Sequence, residues 1–229
     1  MDTCVRIYEK DGILYRRAIV NDVIDDTFSV YDIIREAGEM KSVSGKRLFS
    51  YVEDVVLYRR LLEDNPNIVA LDSGEIVGYC ISDVSQLSLC NMISAIEASL
   101  VNPGAEGYAE GTQMVNPDWR IEGTYTDYKR LVKGDSFIFK TYSVKRKAQG
   151  RGIGYEMGKH LLKHMYSVGK RYGYVTVHPE NTTSIRILSK LGFVFLWRNE
   201  SLYGGQPRLI GILDMDRAKD KVETESWDG

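Results

Sequence analysis

Cysteine is scarce in this chain, with Cys4, Cys80 and Cys90 the only three in 229 residues. That is too few for a disulfide framework, and the spacing fits no zinc pattern. The three read as small buried or half-buried thiols in a reducing compartment. An excess of one charge is also missing. The 30 Lys and Arg face 32 Asp and Glu, which excludes a general nucleic-acid binder, because that would need a strong basic surplus. No apolar run approaches the roughly 18 residues of a membrane helix. The opening residues, Met1 to Arg6, lack the basic stretch followed by an apolar one that marks a secretory signal. The expectations are a cytoplasmic protein, monomer or homodimer, with no nucleic acid, membrane or metal as partner.

What is present is an ordinary soluble composition, 43% hydrophobic and 27% charged, in a chain long enough to bury a core without metals or disulfides. No internal repeat is visible, and residues 1–229 are taken as one domain. Residues 13–20 read as a strand. Asn21-Asp22 then looks like an N-cap for a helix to Gly38, with Val23, Ile24, Phe28, Tyr31 and Ile34 at helical spacing. A second amphipathic helix spans 48–64 and ends at Asn65-Pro66-Asn67. Two short apolar strands, 68–71 and 76–81, flank the hairpin signal Asp72-Ser73-Gly74-Glu75. An insertion covers about 86–134: a helix over 86–100, then a loop-rich stretch over 101–134. The aromatic residues Tyr108, Trp119, Tyr125 and Tyr128 argue that the latter is ordered. Strand 136–144, helix 152–171, strand 174–177, helix 181–191 and strands 193–197 and 208–214 follow. A charged tail, 216–229, is expected to fray. This order gives an α/β (α+β) domain with a mixed central sheet of about seven strands flanked by helices.

The stretch Val144-Lys-Arg-Lys-Ala-Gln149-Gly150-Arg151-Gly152-Ile153-Gly154 carries the chemistry. A strand enters a loop of three glycines and the loop enters a helix. Glycines let backbone N–H groups approach a ligand closely, and a helix start offers unpaired N–H groups at the positive end of its dipole. Together they suit a phosphate. Lys145, Arg146, Lys147 and Arg151 add positive charge on an otherwise slightly acidic chain, which points to a polyanionic ligand. The spacing is neither that of a dinucleotide-binding fingerprint nor that of a Walker loop.

Gln149-Gly-Arg-Gly152-Ile-Gly154 resembles the pyrophosphate loop, Gln/Arg-x-x-Gly-x-Gly/Ala, of the GNAT acetyltransferase family. The segment from His178-Pro-Glu-Asn181 through Ser184 and Leu188 to Gly192-Phe193 resembles that family's later Asn-x-x-Ala/Ser…Leu-Gly-Phe motif. The resemblance covers nearly the whole chain outside the insertion and tail, and it implies a GNAT fold with acetyl-CoA as cosubstrate. It implies that the backbone of Gln149, Gly150, Arg151, Gly152, Ile153 and Gly154 cradles the pyrophosphate. It further implies that Tyr142, Ser143 and Val144 pair with the pantetheine arm, and that Asn181 and Ser184 face that arm. The implied reaction is direct transfer of acetyl to a primary amine.

One departure stands out. Leu188 occupies the position where many family members carry the tyrosine that protonates the thiolate. Insect-type arylalkylamine N-acetyltransferases also lack it, carry a serine where Ser184 stands, and have a long segment before the cofactor strand. A small arylalkylamine is therefore the expected acceptor, with aromatic residues of the insertion as pocket walls. The alternatives are a polyamine or protein N-acetyltransferase, with Asp118, Glu122 and Asp127 as acidic lining, or a non-catalytic acyl-CoA-binding member. Glu39 is the nearest match to the base of the insect enzymes, against a reading as a solvated loop glutamate. His178 is either a base near neutral pH or a structural histidine beside Pro179. Ser184 is the candidate partner of the leaving thiolate. His160 and His164, four apart on a helix, lack the glutamate of a zinc motif and read as a solvated helix face; Lys190 reads as a surface lysine.

Overall fold

The computed structural model describes residues 6–19, 22, 30–41, 45, 55–85, 88–90, 113–114, 135–199 and 207–218. In chain order the elements are β1 (Arg6–Lys10), β2 (Ile13–Arg17), α1 (Val30–Gly38), α2 (Val55–Asp64), β3 (Asn67–Asp72), β4 (Glu75–Asp83), β5 (Gln113–Met114) and β6 (Ser136–Val144). A 3-10 turn (Arg146–Ala148) leads to α3 (Ile153–Ser167), β7 (Tyr172–Val177), α4 (Thr182–Lys190), β8 (Val194–Asn199), β9 (Arg208–Asp214) and α5 (Met215–Ala218). The seven expected strands are all present, with β1 and β5 in addition. The first expected strand stops at Arg17 rather than running to residue 20. The expected helix starts before Val30 and Val55 lie outside the described residues. So does nearly all of the insertion, including Tyr108, Trp119, Tyr125 and Tyr128; within it only Ser88, Leu89 and Cys90 are seen as helical. At the tail, α5 occupies Met215–Ala218, and the residues beyond lie outside the description.

Contacts divide the chain into two compact units, each built from two separate stretches: Met1–Asp83 with Phe139–Met165, and Val84–Ile138 with Tyr166–Gly229. In the first, the strands run β1-β2-β3-β4-β6. The β1–β2, β2–β3 and β3–β4 pairs are antiparallel. Helix α1 buries Val30, Ile33, Ile34 and Ala37, the i, i+3, i+4, i+7 stripe of an amphipathic helix. Val30, Ile33 and Ile34 cluster with Tyr58, Leu61 and Leu62 of α2 and with Val69, Tyr79 and Ile81 of the sheet. Side chains alternate along β4, so Gly78 lies on the other face. A Cβ built there would stand 2.9 Å from Met157 Cε of α3. That close approach lets α3 pack directly on β4.

A polar knot ends α2. Asn65 Nδ2 donates to Leu61 O, and Asn67 Nδ2 donates to Leu61 O and Asn65 O. Asn67 Oδ1 accepts from Ser82 N–H on β4. The turn signal is thus also the joint between helix and sheet. The helix start that Asn21-Asp22 is expected to cap lies outside the described residues, but Asp22 itself has a second part to play. Its carboxylate takes both Arg16 guanidinium nitrogens, at 2.7 and 2.6 Å, and the Ile19 N–H at 2.7 Å. It pins the chain reversal after β2.

In the second unit the strands run β6-β7-β9-β8-β5. The β6–β7 pair is parallel over Ser136, Phe137 and Ile138, and the others are antiparallel, so the sheet is mixed. Phe137, Tyr174, Leu188, Leu191, Phe193, Ile210, Ile212, Leu213 and Met215 are buried. Among the described residues no helix is long and apolar enough to cross a membrane.

Candidate functional site

Strand β6 hands over to the glycine loop under tight backbone control. Lys145 N–H donates to Val77 O of β4 at 2.8 Å, and Ala148 N–H closes the 3-10 turn on Lys145 O at 2.8 Å. The side chain of Gln149 folds back, its Nε2 donating to Val144 O at 3.0 Å. Gly150 and Gly152 have φ of 80° and 78°, the left-handed region where a side chain is strained. No atom lies within 4 Å of a Cβ built on either. Tyr155 and Glu156 N–H both return to Gly152 O, at 3.0 and 3.1 Å, which starts α3. The N–H groups ahead of those bonds have no partner within the helix and carry the positive end of its dipole. Ile153 and Gly154 are buried beneath them. Tyr142, Ser143 and Val144 are half-buried at the end of β6.

The basic side chains around the loop are not the free cluster that the sequence suggests. Lys145 and Lys147 bridge Glu75 at 3.0 and 2.6 Å, and Arg151 bridges Asp72 at 2.5 Å. The two lysines hold the Glu75 carboxyl below its ordinary value, and Arg151 does the same to Asp72. Glu36 Oε1 accepts the backbone N–H of Arg146 at 3.0 Å, which ties α1 to the loop. Between them lies a cavity of about 700 Å³, lined by Asp32, Arg35, Glu36, Glu39, Glu75, Lys145, Arg146 and Lys147. Glu39 therefore stands in the same unit as the glycine loop, exposed just past the end of α1.

The other candidates belong to the second unit. Asn181 caps α4, its Oδ1 accepting the Ser184 N–H at 3.1 Å; Ser184 is half-buried. His178 is 1% exposed, and its Nδ1 accepts the Glu180 N–H at 3.2 Å. A neutral ring so bonded is assigned its proton on Nε2, which makes Nε2 a donor rather than a base. Leu188 is buried in the core, and Lys190 is exposed as expected.

The pair on α3 does not form a solvated face. His160 is 8% exposed and packs against the rings of Tyr8 and Tyr15, at centroid distances of 4.9 and 5.5 Å. Burial drives its pKa down to about 4. His164 is half-buried, and its pKa too is lowered by burial. Among the described residues no three His, Cys, Asp or Glu side chains group as metal ligands would.

The profile of the acetyltransferase (GNAT) family matches residues 29–193. The chain belongs to that family. The match contains the glycine loop and the Asn181 cap alike. No curated protein sequence matches this GNAT chain. Among solved structures, it is similar to yncA, a putative acetyltransferase from Salmonella typhimurium with its cofactor acetyl-CoA. The identity is 16%, with 96% of this chain and 99% of that one covered, at a TM-score of 0.55. It is also similar to a ribosomal-protein-alanine N-acetyltransferase from Brucella melitensis (16%; 88% and 99%; 0.53) and to Ard1 from Thermoplasma volcanium (12%; 89% and 97%; 0.54). At such identities the likeness is one of fold, and it bears out the mixed α/β architecture.

Sequence reasoning missed three residues of this GNAT loop's surroundings: Asp72, Glu75 and Glu36. The first two flank Ser73-Gly74 and were legible as part of a turn. That their charges meet a loop some 70 residues later has no local signal.

Proposed function

We propose that this protein is an acetyl-CoA-dependent N-acetyltransferase that moves the acetyl group directly to a small primary amine, an arylalkylamine in the first instance. The observation that carries the reading is the loop at 149–154. Two left-handed glycines with open space beside them lead into the first turn of α3, whose leading N–H groups have no partner within the helix, which suits the pyrophosphate of a coenzyme A donor. Gln149, Gly150, Arg151, Gly152, Ile153 and Gly154 form that cradle in this reading; Tyr142, Ser143 and Val144 present a strand edge to the pantetheine arm, and Asn181 and Ser184 act on the same arm.

Direct transfer needs an unprotonated amine, a polarised thioester carbonyl and a proton for the departing thiolate. Ser184 is the proposed hydrogen-bond donor to the thiolate. Glu39 is preferred to His178 as the group that removes the ammonium proton, because Nδ1 of His178 accepts the Glu180 N–H. Four carboxylates line the cavity, but Asp32 bridges Arg35, Glu36 holds the Arg146 N–H and Glu75 holds two lysines. A polyamine would have to displace these partners in the cavity; Asp118, Glu122 and Asp127, named for that acceptor, lie outside the described residues.

The test is a panel of arylalkylamines, polyamines and peptide N-termini with acetyl-CoA, read by thiol release. Turnover with arylalkylamines alone supports the proposed acceptor. Preference for a polyamine or peptide replaces it, and binding of acetyl-CoA without turnover on any amine overturns the enzyme reading. With an active amine, Ser184→Ala and Glu39→Gln should each lower kcat while leaving acetyl-CoA affinity nearly intact. A change in kcat below about threefold, some 0.65 kcal/mol of barrier, would remove either residue from the proton path.

A further inference from the structure

Asp72 and Glu75 are the last pair of the β3–β4 ladder and stand directly opposite each other. Ser73 and Gly74 between them have φ of 51° and 86°, the two left-handed positions of a type I′ turn. Like charges facing across a hairpin repel and destabilise it. Within the turn the offset is slight, Ser73 Oγ donating to Asp72 Oδ1 at a long 3.4 Å. Here the repulsion is relieved from outside, by Lys145, Lys147 and Arg151, three of the four cations around the glycine loop. For Arg146, the backbone N–H is engaged by Glu36.

We propose that the β3–β4 turn is an anionic latch on the glycine loop, with Asp72 and Glu75 competing with the ligand's phosphates for Lys145, Lys147 and Arg151. The proposal rests on the cofactor reading above. In the free protein two carboxylates offset three loop cations. An incoming polyphosphate takes these cations over, and the turn is left with its own repulsion. Lys145 is more enclosed, its side chain 13% exposed against 20% for Glu75; the side chains of Lys147 and Arg151 are 63% and 42% exposed, so these two can change partner without unpacking anything. Exposed pairs of this kind are weak and screened by salt, as a releasable contact requires. The latch thus lowers affinity for every polyanion and leaves selectivity to the backbone cradle.

The test is calorimetric titration of coenzyme A, and separately of inorganic pyrophosphate, into the wild-type protein, Asp72→Asn, Glu75→Gln and the double variant. Glu63→Gln, an exposed carboxylate on α2, controls for net charge. At low salt, about 0.02 M, the double variant should bind coenzyme A about 5- to 30-fold more tightly, with each single variant between. At about 0.5 M salt the gain should shrink below about twofold, because exposed charges are then screened. The control should match the wild type. If affinity falls in the double variant, the turn is a scaffold for the loop and the latch is wrong. Equal affinity at low salt also overturns it, while wild-type binding of coenzyme A leaves the cofactor reading standing. No binding of coenzyme A by the wild type overturns both.

Discussion

At Gly152 the backbone has φ of 78° and open space beside it. A side chain there meets no protein atom, so its cost falls on backbone strain and on whatever ligand uses the space. Gly152→Asp puts a carboxylate where the proposed reading puts phosphate, and coenzyme A affinity should drop by about 10-fold or more in a folded variant. Calorimetry on a variant with an unaltered circular dichroism spectrum checks this; unchanged affinity would show that the loop does not hold the cofactor. His160 gives a second prediction at this scale. Burial, and after it the charge of Lys159, lower its folded pKa to about 4, against 6.5 as the reference, while Glu156 opposes the shift. The unfolded chain therefore takes the proton first. The stability contribution is complete above the unfolded value and is lost as pH falls from about 6.5 towards 4, by up to about 3 kcal/mol. Urea melts across that range should show the loss in the wild type, and His160→Phe should flatten it. An equal acid loss in that variant would assign the effect to other groups.

Whole elements depend on a few special positions. Helix α4 begins at the Asn181 cap and is followed by Gly192, whose φ is 99°. A Cβ at Gly192 would lie 2.8 Å from the Ala218 Cβ of α5 and 3.1 Å from Leu213 Cδ1. Both the conformation and the space exclude a side chain, so Gly192→Ala should destabilise the protein by about 2–4 kcal/mol. Chemical denaturation would register this, and a loss below about 1 kcal/mol would mean that α5 yields freely. The helix C-terminal glycine was legible in the sequence; the contact with α5 was not. The same division holds for α3. Spacing puts Ile153, Met157, Leu161, Met165 and Val168 on one apolar face; the first four are buried, while Val168, one residue past the end of the helix, is exposed. That His160 turns inward between Tyr8 and Tyr15 depended on where β1 and β2 lie, and β1 itself had gone unread.

Neither compact unit is a contiguous piece of chain. The stretches of the two units alternate along the chain, and a single folding domain over residues 1–229 is the proposal to be tested. Calorimetry should then show one cooperative unfolding transition. Coenzyme A at about 100 times its Kd should raise the stability by about 2.7 kcal/mol, as for any ligand that binds only the folded state. Two resolved transitions would contradict the single domain, and a Tm indifferent to saturating coenzyme A would contradict the cofactor reading.

The sequence by itself determined seven of the strands, the turn at Asp72-Ser73-Gly74-Glu75, the glycine loop and the family. Each is written in residues close together in the chain, where period, turn chemistry and backbone freedom act locally. Tertiary structure alone decided what the charges and imidazoles do. Lys145, Lys147 and Arg151 read as free cations until Asp72 and Glu75 were brought to them. His160 read as a surface residue until two tyrosines covered it, and His178 lost its free Nδ1 to the Glu180 N–H. Electrostatic roles depend on partners and burial; the Glu180 N–H is a neighbour of His178 in sequence, but the partners of the loop cations and of His160 lie far away in the chain, where no local pattern records them.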